Sequence, residues 1–163
     1  MNNSIYCSGW FRARKKVTEL YANEKARTLH VSREFYGVVI EKDKQPYCFL
    51  EINDTFVLVG FLDNLQREYL TYQFSEIEPE KLFLKHAQYW KYEGNTDEKI
   101  FSTRYFFSPD GTLKIEKVNI RTNDAEIFHA KEPVDITANH EKYPDFGQYE
   151  KLIKKERLTF PNN

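Results

Sequence analysis

Between residues 35 and 130 the chain alternates apolar and polar side chains in short segments, which polar turns separate. Strict alternation predicts β-strands, because successive side chains of a strand point to opposite faces of its sheet. In the first segment, for example, Tyr36, Val38 and Ile40 share one face. The predicted strands are Phe35–Lys42, Pro46–Asn53, Thr55–Leu62, Arg67–Phe74, Leu82–Tyr92, Ile100–Phe107, Thr112–Ile120 and Ala125–Ala130.

The order of these strands predicts two four-stranded antiparallel meanders. Short turns within each set favour antiparallel neighbours. The acidic segment Ser75–Lys81 contains Pro79, so we expect it to interrupt the ladder and to connect the two sets. Within the seventh predicted strand, the alternation of apolar side chains slips by one residue. A β-bulge near Glu116–Lys117 is expected to absorb this slip.

Helices are expected at the ends of the chain. Phe146, Tyr149, Leu152 and Ile153 recur at helical spacing, so Pro144–Glu156 is predicted to be a helix. Phe11–Ala22 is compatible with either a helix or a strand. The predicted fold class is therefore α+β, predominantly antiparallel β, in a single domain over residues 1–163, with a C-terminal helix and a possible N-terminal helix.

The composition favours a folded cytoplasmic protein. The 13 Phe, 11 Tyr and 2 Trp far exceed the aromatic content of a disordered chain. No signal peptide is visible, and no uncharged apolar run approaches the roughly 20 residues that a membrane helix needs. Cys7 and Cys48 lack the spacing of a metal site, so we expect two buried free thiols instead of a disulfide.

Charge is segregated along the sequence. Residues 1–33 carry seven Lys and Arg against two acids, whereas residues 41–80 carry nine acids against three cations. One interpretation is an ordinary solvated surface. The other is an acidic face that meets a basic protein partner, since complementary potentials speed encounter and fix orientation. The candidate contact residues on that face are Glu51, Asp54, Asp63 and Glu68.

Catalytic and cofactor motifs are not found in the sequence. The four histidines are scattered, with no pair at metal-ligand spacing, and the six glycines form no phosphate-binding loop. We therefore expect a protein that is not an enzyme and that needs no metal, nucleotide or other cofactor. Neither a small-molecule substrate nor a membrane partner is expected.

Two other binding functions remain open alternatives. Aromatic side chains on a sheet, such as Phe49, Tyr89 or Trp90, can stack on single-stranded nucleic acid, although the net charge of −7 over residues 34–80 opposes a phosphate backbone. Alternatively, eight antiparallel strands can close around a small apolar ligand. The short glycine-tryptophan motif of lipocalins is not present beyond Gly9-Trp10.

A family resemblance favours protein binding. Residues 134–149, VDITANHEKYPDFGQY, and the preceding YFFSPDG at 105–111 resemble small immunity proteins of bacterial polymorphic toxin systems, including contact-dependent growth inhibition and Rhs-type systems. The expected two four-stranded sheets with a terminal helix are also similar to immunity proteins of the Whirly fold. The resemblance implies a protein that binds and neutralises one cognate toxin domain, often a nuclease, by occluding its active site.

Overall fold

One large antiparallel sheet dominates the computed structural model, which describes residues 2–157. Within that range the α-helix is α1 (Asn23–Val31), and short 3-10 turns occupy Arg12–Arg14 and Thr137–Asn139. The strands are β1 (Asn3–Cys7), β2 (Trp10–Phe11), β3 (Lys16–Val17), β4 (Tyr36–Lys42), β5 (Gln45–Ile52), β6 (Phe56–Leu62), β7 (Glu68–Glu78), β8 (Lys81–Tyr92), β9 (Lys99–Phe107), β10 (Leu113–Asn119), β11 (Asp124–His129) and β12 (His140–Lys142).

The sheet has the order β1-β4-β5-β6-β7-β8-β9-β10-β11, and β12 pairs with the start of β8. All of these pairs are antiparallel, while β2 and β3 form a separate ribbon. The prediction of a mostly antiparallel β protein is therefore confirmed. The sheet is open, with β1 and β11 at its two edges.

The predicted division into two four-stranded meanders is wrong. Ser75–Lys81 does not interrupt the ladder, because β7 continues to Glu78 and pairs with β8 along its length. Pro79 and Glu80 form the tight turn between them, with Glu80 in a left-handed conformation at φ 65°. Proline is well suited to such a turn, so here it ends a strand without separating two sheets.

The β-bulge predicted at Glu116–Lys117 is also wrong. Strand β10 pairs with β9 and β11 without a register shift. Lys117 continues the face of Leu113 and Ile115, and Val118 faces the opposite side. Ile115 is buried, whereas Lys117, two residues further along the same face, is only partly buried, so this lysine needs no bulge to reach solvent.

The main core lies on one face of the sheet, which we call the inner face. Its buried side chains include Tyr36, Leu50, Val59, Tyr72 and Leu84. This confirms the apolar face of the first predicted strand, formed by Tyr36, Val38 and Ile40. Strand β6 lies between β5 and β7 with apolar side chains on both faces, as expected of a central strand.

The C-terminal segment 143–157 covers the inner face, but the predicted helix Pro144–Glu156 is wrong. Tyr149, Leu152 and Ile153 are buried as the apolar stripe indicates, yet the segment consists of turns. Gly147 has a φ of +84°, which a right-handed helix does not accommodate. Tyrosine hydroxyls of the segment and the sheet fix it instead.

Three hydrogen bonds hold this segment on the sheet. The Tyr143 hydroxyl donates to the carbonyl oxygen of Asn53 at 2.8 Å, and the Tyr72 hydroxyl donates to that of Lys155 at 2.5 Å. The hydroxyls of Tyr36 and Tyr149 lie 3.2 Å apart. Because these donors bond individual backbone and side-chain oxygens, an irregular segment satisfies them as well as a helix would.

A smaller apolar cluster lies on the outer face, under the N-terminal ribbon. Trp10 stacks on Phe49 with ring centroids 6.2 Å apart, and Cys7, Val39 and Leu62 complete the cluster. Phe11–Ala22 is thus neither one helix nor one strand but a two-stranded ribbon around a 3-10 turn.

Both cysteines are buried free thiols, as expected. Burial raises the pKa of Cys48 to about 12. Within residues 2–157 no helix is long and apolar enough to span a membrane. The same residues contain no cluster of three or more His, Cys, Asp or Glu that would hold a metal ion.

Candidate functional site

The four predicted acidic contact residues do not form one surface. Asp54 lies in the turn before β6 and Asp63 in the turn after it, at opposite ends of that strand. Glu51 and Glu68 lie on the outer face and are brought together by one arginine. The alternating pattern indicates the correct strands for these residues, but it carries no information about partners that are distant in sequence.

Arg12 is the arginine that joins Glu51 and Glu68. Its Nη1 lies 3.1 Å from Glu51 Oε1, and its Nε lies 2.8 Å from Glu68 Oε2. Its guanidinium carbon is also 4.7 Å from the centre of the Phe49 ring. Two of the four candidate acids therefore already have a basic partner within the chain.

Similar ion pairs engage most of the acids in residues 41–80. Asp63 Oδ2 accepts from Arg67 Nε at 2.8 Å, and Arg33 pairs with Glu76 and Glu80. The Asp54 carboxylate has no ion pair within residues 2–157, although the backbone oxygen of Asp54 accepts from Arg33. The basic N-terminal region thus folds over the acidic segment, and the charge segregation of the sequence does not produce an open acidic face.

One end of the sheet is formed by β9, β10 and β11, and we call it the wing. Every residue of β11 is exposed, and β10 is its only strand partner among the described residues. Ile127 is 60% exposed and Phe128 54% exposed. At the other edge of the sheet, residues 18–21 bond to the β1 region, for instance Tyr21 N to Tyr6 O at 2.9 Å, so β11 is the more open edge.

A groove of about 600 Å³ lies on the inner face of the wing. Phe101, Thr103 and Tyr105 of β9 form its floor, and Lys117 and Glu126 of the next two strands flank it. Phe101 is 43% exposed. The groove lies where the inner face extends beyond the C-terminal segment, so it offers aromatic surface next to the free edge.

The sequence predicts a strand at Ala125–Ala130 but does not single out the wing. The available signal was the pair Ile127-Phe128, which makes the last strand apolar on both faces. A strand at a sheet edge rarely exposes such a pair without a partner, because open apolar edges promote association.

The segments that carry the family resemblance have structural roles. Asn139 is fully buried, and its Nδ2 donates to the carbonyl oxygen of Leu84 at 2.9 Å. Gly111 has a φ of +88°, and a Cβ there would lie 2.9 Å from Cβ of Pro133. Tyr143 and Tyr149 belong to the core. These residues fix the C-terminal segment on the sheet and leave the wing free.

The outer face of β8, β9 and β10 carries a second group of aromatic and basic side chains. Lys99 Nζ lies 3.8 Å from the centre of the Trp90 ring, and Lys114 Nζ lies 4.4 Å from that of Phe106. His86 stacks on Phe106 at 4.8 Å, and its pKa is lowered by burial and by nearby Arg104. This face is positive and aromatic, unlike the acidic segment.

No protein-family model matches the chain, and no curated protein or solved structure matches it either. The resemblance to immunity proteins therefore stays a prediction from the sequence.

Proposed function

We propose that this chain is an immunity protein that binds a bacterial toxin domain through the wing and occludes the active site of that domain. The observation that carries the proposal is the free edge of β11, with Ile127 and Phe128 exposed on opposite faces. The sequence resemblance at residues 105–111 and 134–149 supports the same role.

An exposed edge strand provides both affinity and register. Its unpaired N–H and C=O groups accept an additional strand, and alternate side chains determine which strand fits. Aromatic residues supply much of the energy at protein interfaces. Phe128, together with Phe101 and Tyr105 in the adjacent groove, gives the wing these components.

The acidic residues have a smaller role in this proposal. A partner would have to displace Arg12 to reach Glu51 or Glu68, and Arg67 to reach Asp63. Asp54 is exposed and has no ion pair among the described residues, so it is the remaining acidic contact candidate. In this proposal the chain acts in the cytoplasm and uses neither catalytic groups nor a cofactor.

The genetic test is co-expression. The domain encoded immediately upstream of this chain is expressed in a bacterial host, alone and together with this chain. We expect growth arrest by the domain alone and growth in the presence of the chain. Equal killing with and without the chain would exclude the immunity function.

The second candidate function is binding of single-stranded nucleic acid to the outer face. The observation that favours it is the placement of Lys99, Arg104 and Lys114 beside Trp90 and Phe106. Base stacking on aromatic rings and phosphate contacts with basic side chains are the two requirements of such sites. This function ranks second because the ammonium groups of Lys99 and Lys114 already lie over the rings of Trp90 and Phe106, on which bases would stack.

A further inference from the structure

A pocket of about 220 Å³ lies outside the wing, between the N-terminal 3-10 turn and the ends of β7, β8 and β9. Tyr92 forms part of its wall, and its hydroxyl donates to the carbonyl oxygen of Glu68 at 2.6 Å. The charged side chains that line it are Arg12, Lys15, Arg67, Lys99, Glu68 and Asp97. Three of the four cations have carboxylate partners: Arg12 pairs with Glu51 and Glu68, Lys15 with Asp97, and Arg67 with Asp63. Lys99 is the cation that lines the pocket without an ion pair among the described residues.

The cations are held in place by contacts that leave several of their donors unused. Arg67 donates through Nε to Asp63 and through Nη1 to the carbonyl oxygens of Gly94 and Thr96. Arg12 is fixed through Nε and Nη1. Within the described part of the chain, neither Nη2 atom has a hydrogen-bond acceptor. Each guanidinium group therefore keeps one nitrogen, Nη2, free to donate to an added ligand.

Lys99 has the most unusual environment of the four. Its Nζ lies over the Trp90 ring at 3.8 Å and forms no ion pair within residues 2–157. Burial lowers its pKa, while the nearby Glu68 acts in the opposite direction and Arg12 has a smaller lowering effect. Lys99 is therefore a half-buried cation whose ammonium group has no ion pair in the described part of the chain, and a buried cation of this kind favours an added anion.

We propose that this pocket binds a phosphate group. An oxyanion that enters it accepts hydrogen bonds from Lys99 Nζ and from the free Nη2 atoms of Arg12 and Arg67. Several charge-assisted donors around one small volume are typical of phosphate recognition, in which arginine forks and lysine point charges act together. Free phosphate and the phosphate of a nucleotide share this chemistry, and both fit the proposal.

The test is calorimetric titration of the purified chain with inorganic phosphate and, separately, with a nucleoside 5′-monophosphate. We expect saturable binding of phosphate with a dissociation constant of about 1 mM or lower. Lys99→Met should weaken it by about tenfold or more, since a charge-assisted hydrogen bond is lost. Lys99→Arg keeps the charge and should retain binding. Tighter binding of the nucleotide than of phosphate assigns the site to nucleotides, and equal binding assigns it to the phosphate group alone.

Lys114→Met is the matched control, because Lys114 also lies over an aromatic ring of the outer face but outside the pocket. It should bind phosphate as the unaltered chain does. A second measurement needs no variant: phosphate should shift the indole N–H signal of Trp90 as Lys99 moves toward the anion. The proposal is overturned if phosphate at about ten times the expected dissociation constant gives neither a heat of binding nor a shift of the Trp90 signal. Equal losses in Lys99→Met and Lys114→Met would overturn it as well.

Discussion

Ile127 and Phe128 are successive residues of β11 and point to opposite faces of the sheet, yet both are more than half exposed. Phe128 lies opposite Ile115 on the inner face, and Ile127 lies opposite Glu116 on the outer face. The edge of the sheet is thus apolar on both faces. A partner strand paired with β11 would cover both side chains at once, and this relationship is the basis of the proposed interface.

Gly60 is predicted to be essential for the outer-face cluster. A Cβ at this position would lie 2.2 Å from Cζ of Phe49, whose ring is confined between Trp10 and Arg12. Gly60→Ala should therefore lower the free energy of unfolding by about 3 kcal/mol. Urea denaturation measures this change.

Gly94→Ala is the control for that substitution. No atom lies within 4 Å of a Cβ at Gly94, so only its φ of +47° opposes alanine. Gly94→Ala should lower the free energy of unfolding by only about 1 kcal/mol. Combining Gly60→Ala with Phe49→Leu should recover part of the larger loss. Equal costs for the two glycine substitutions would contradict the assigned contact.

Asp63 is predicted to make stability depend on pH. Burial alone would raise its pKa, but hydrogen bonds from the Arg67 amide, the Arg67 guanidinium and the Leu65 amide outweigh burial and lower it. The carboxylate therefore stabilises the fold above the ordinary aspartate pKa of about 4, and the gain is lost as pH falls through the lower folded pKa.

Asp63→Asn should then reduce the free energy of unfolding by about 1–2 kcal/mol at pH 7. The difference should close as pH falls below the ordinary aspartate pKa and the unaltered Asp63 takes up a proton. Urea midpoints across this range measure it. Asp43→Asn, in an exposed turn, should leave the midpoints unchanged at every pH. A pH-independent loss in Asp63→Asn would show that its charge is not involved.

Arg157 is predicted to fasten the C-terminal segment. Its side chain is 2% exposed, and its Nη1 donates to Glu141 Oε1 at 2.9 Å and to the carbonyl oxygen of Ala138 at 3.0 Å. Arg157→Met should lower the free energy of unfolding by about 3 kcal/mol, because it leaves the Glu141 carboxylate without its cation. Adding Glu141→Gln should restore part of the loss in thermal or urea unfolding. No recovery in the double variant would mean that the cost comes from other contacts.

Binding of nucleic acid separates the two candidate functions. If the outer face binds single strands, a mixed oligonucleotide should bind at low salt and the affinity should fall steeply as salt rises. The proposed function predicts no such binding. Fluorescence anisotropy with a labelled oligonucleotide is the measurement, and micromolar affinity that Trp90→Ala removes would reverse the ranking.

The strands were predictable from the sequence because their information is local. Alternation identifies the segments from Tyr36 to His129 and the buried face of the first. The sequence does not reveal whether Pro79 separates two sheets or forms a turn, since that depends on β7 and β8 pairing through it. The stripe of Tyr149, Leu152 and Ile153 predicts burial correctly, but Gly147 and the hydrogen bonds to the sheet determine its conformation.

The candidate site was less predictable, because its features arise from contacts between distant residues. Arg12 reaches Glu51 and Glu68 across 39 and 56 positions of sequence. Charge runs read along the chain therefore indicated an acidic face that the fold neutralises. The wing is the proposed interface because β11 ends the sheet with all of its residues exposed, and the position of a strand in the sheet is not visible in a local pattern.

The most direct test of the central claim uses the domain encoded upstream, which the proposal takes to be the toxin. Its affinity is measured for the purified chain and for a variant with Ile127 and Phe128 both changed to serine. Truncating two central apolar contacts should weaken binding by about thirtyfold or more, mainly through faster dissociation. Val31→Ser, at a 77% exposed position of α1, is the control and should bind normally. Unchanged affinity in the Ile127→Ser, Phe128→Ser chain would contradict an interface at the wing.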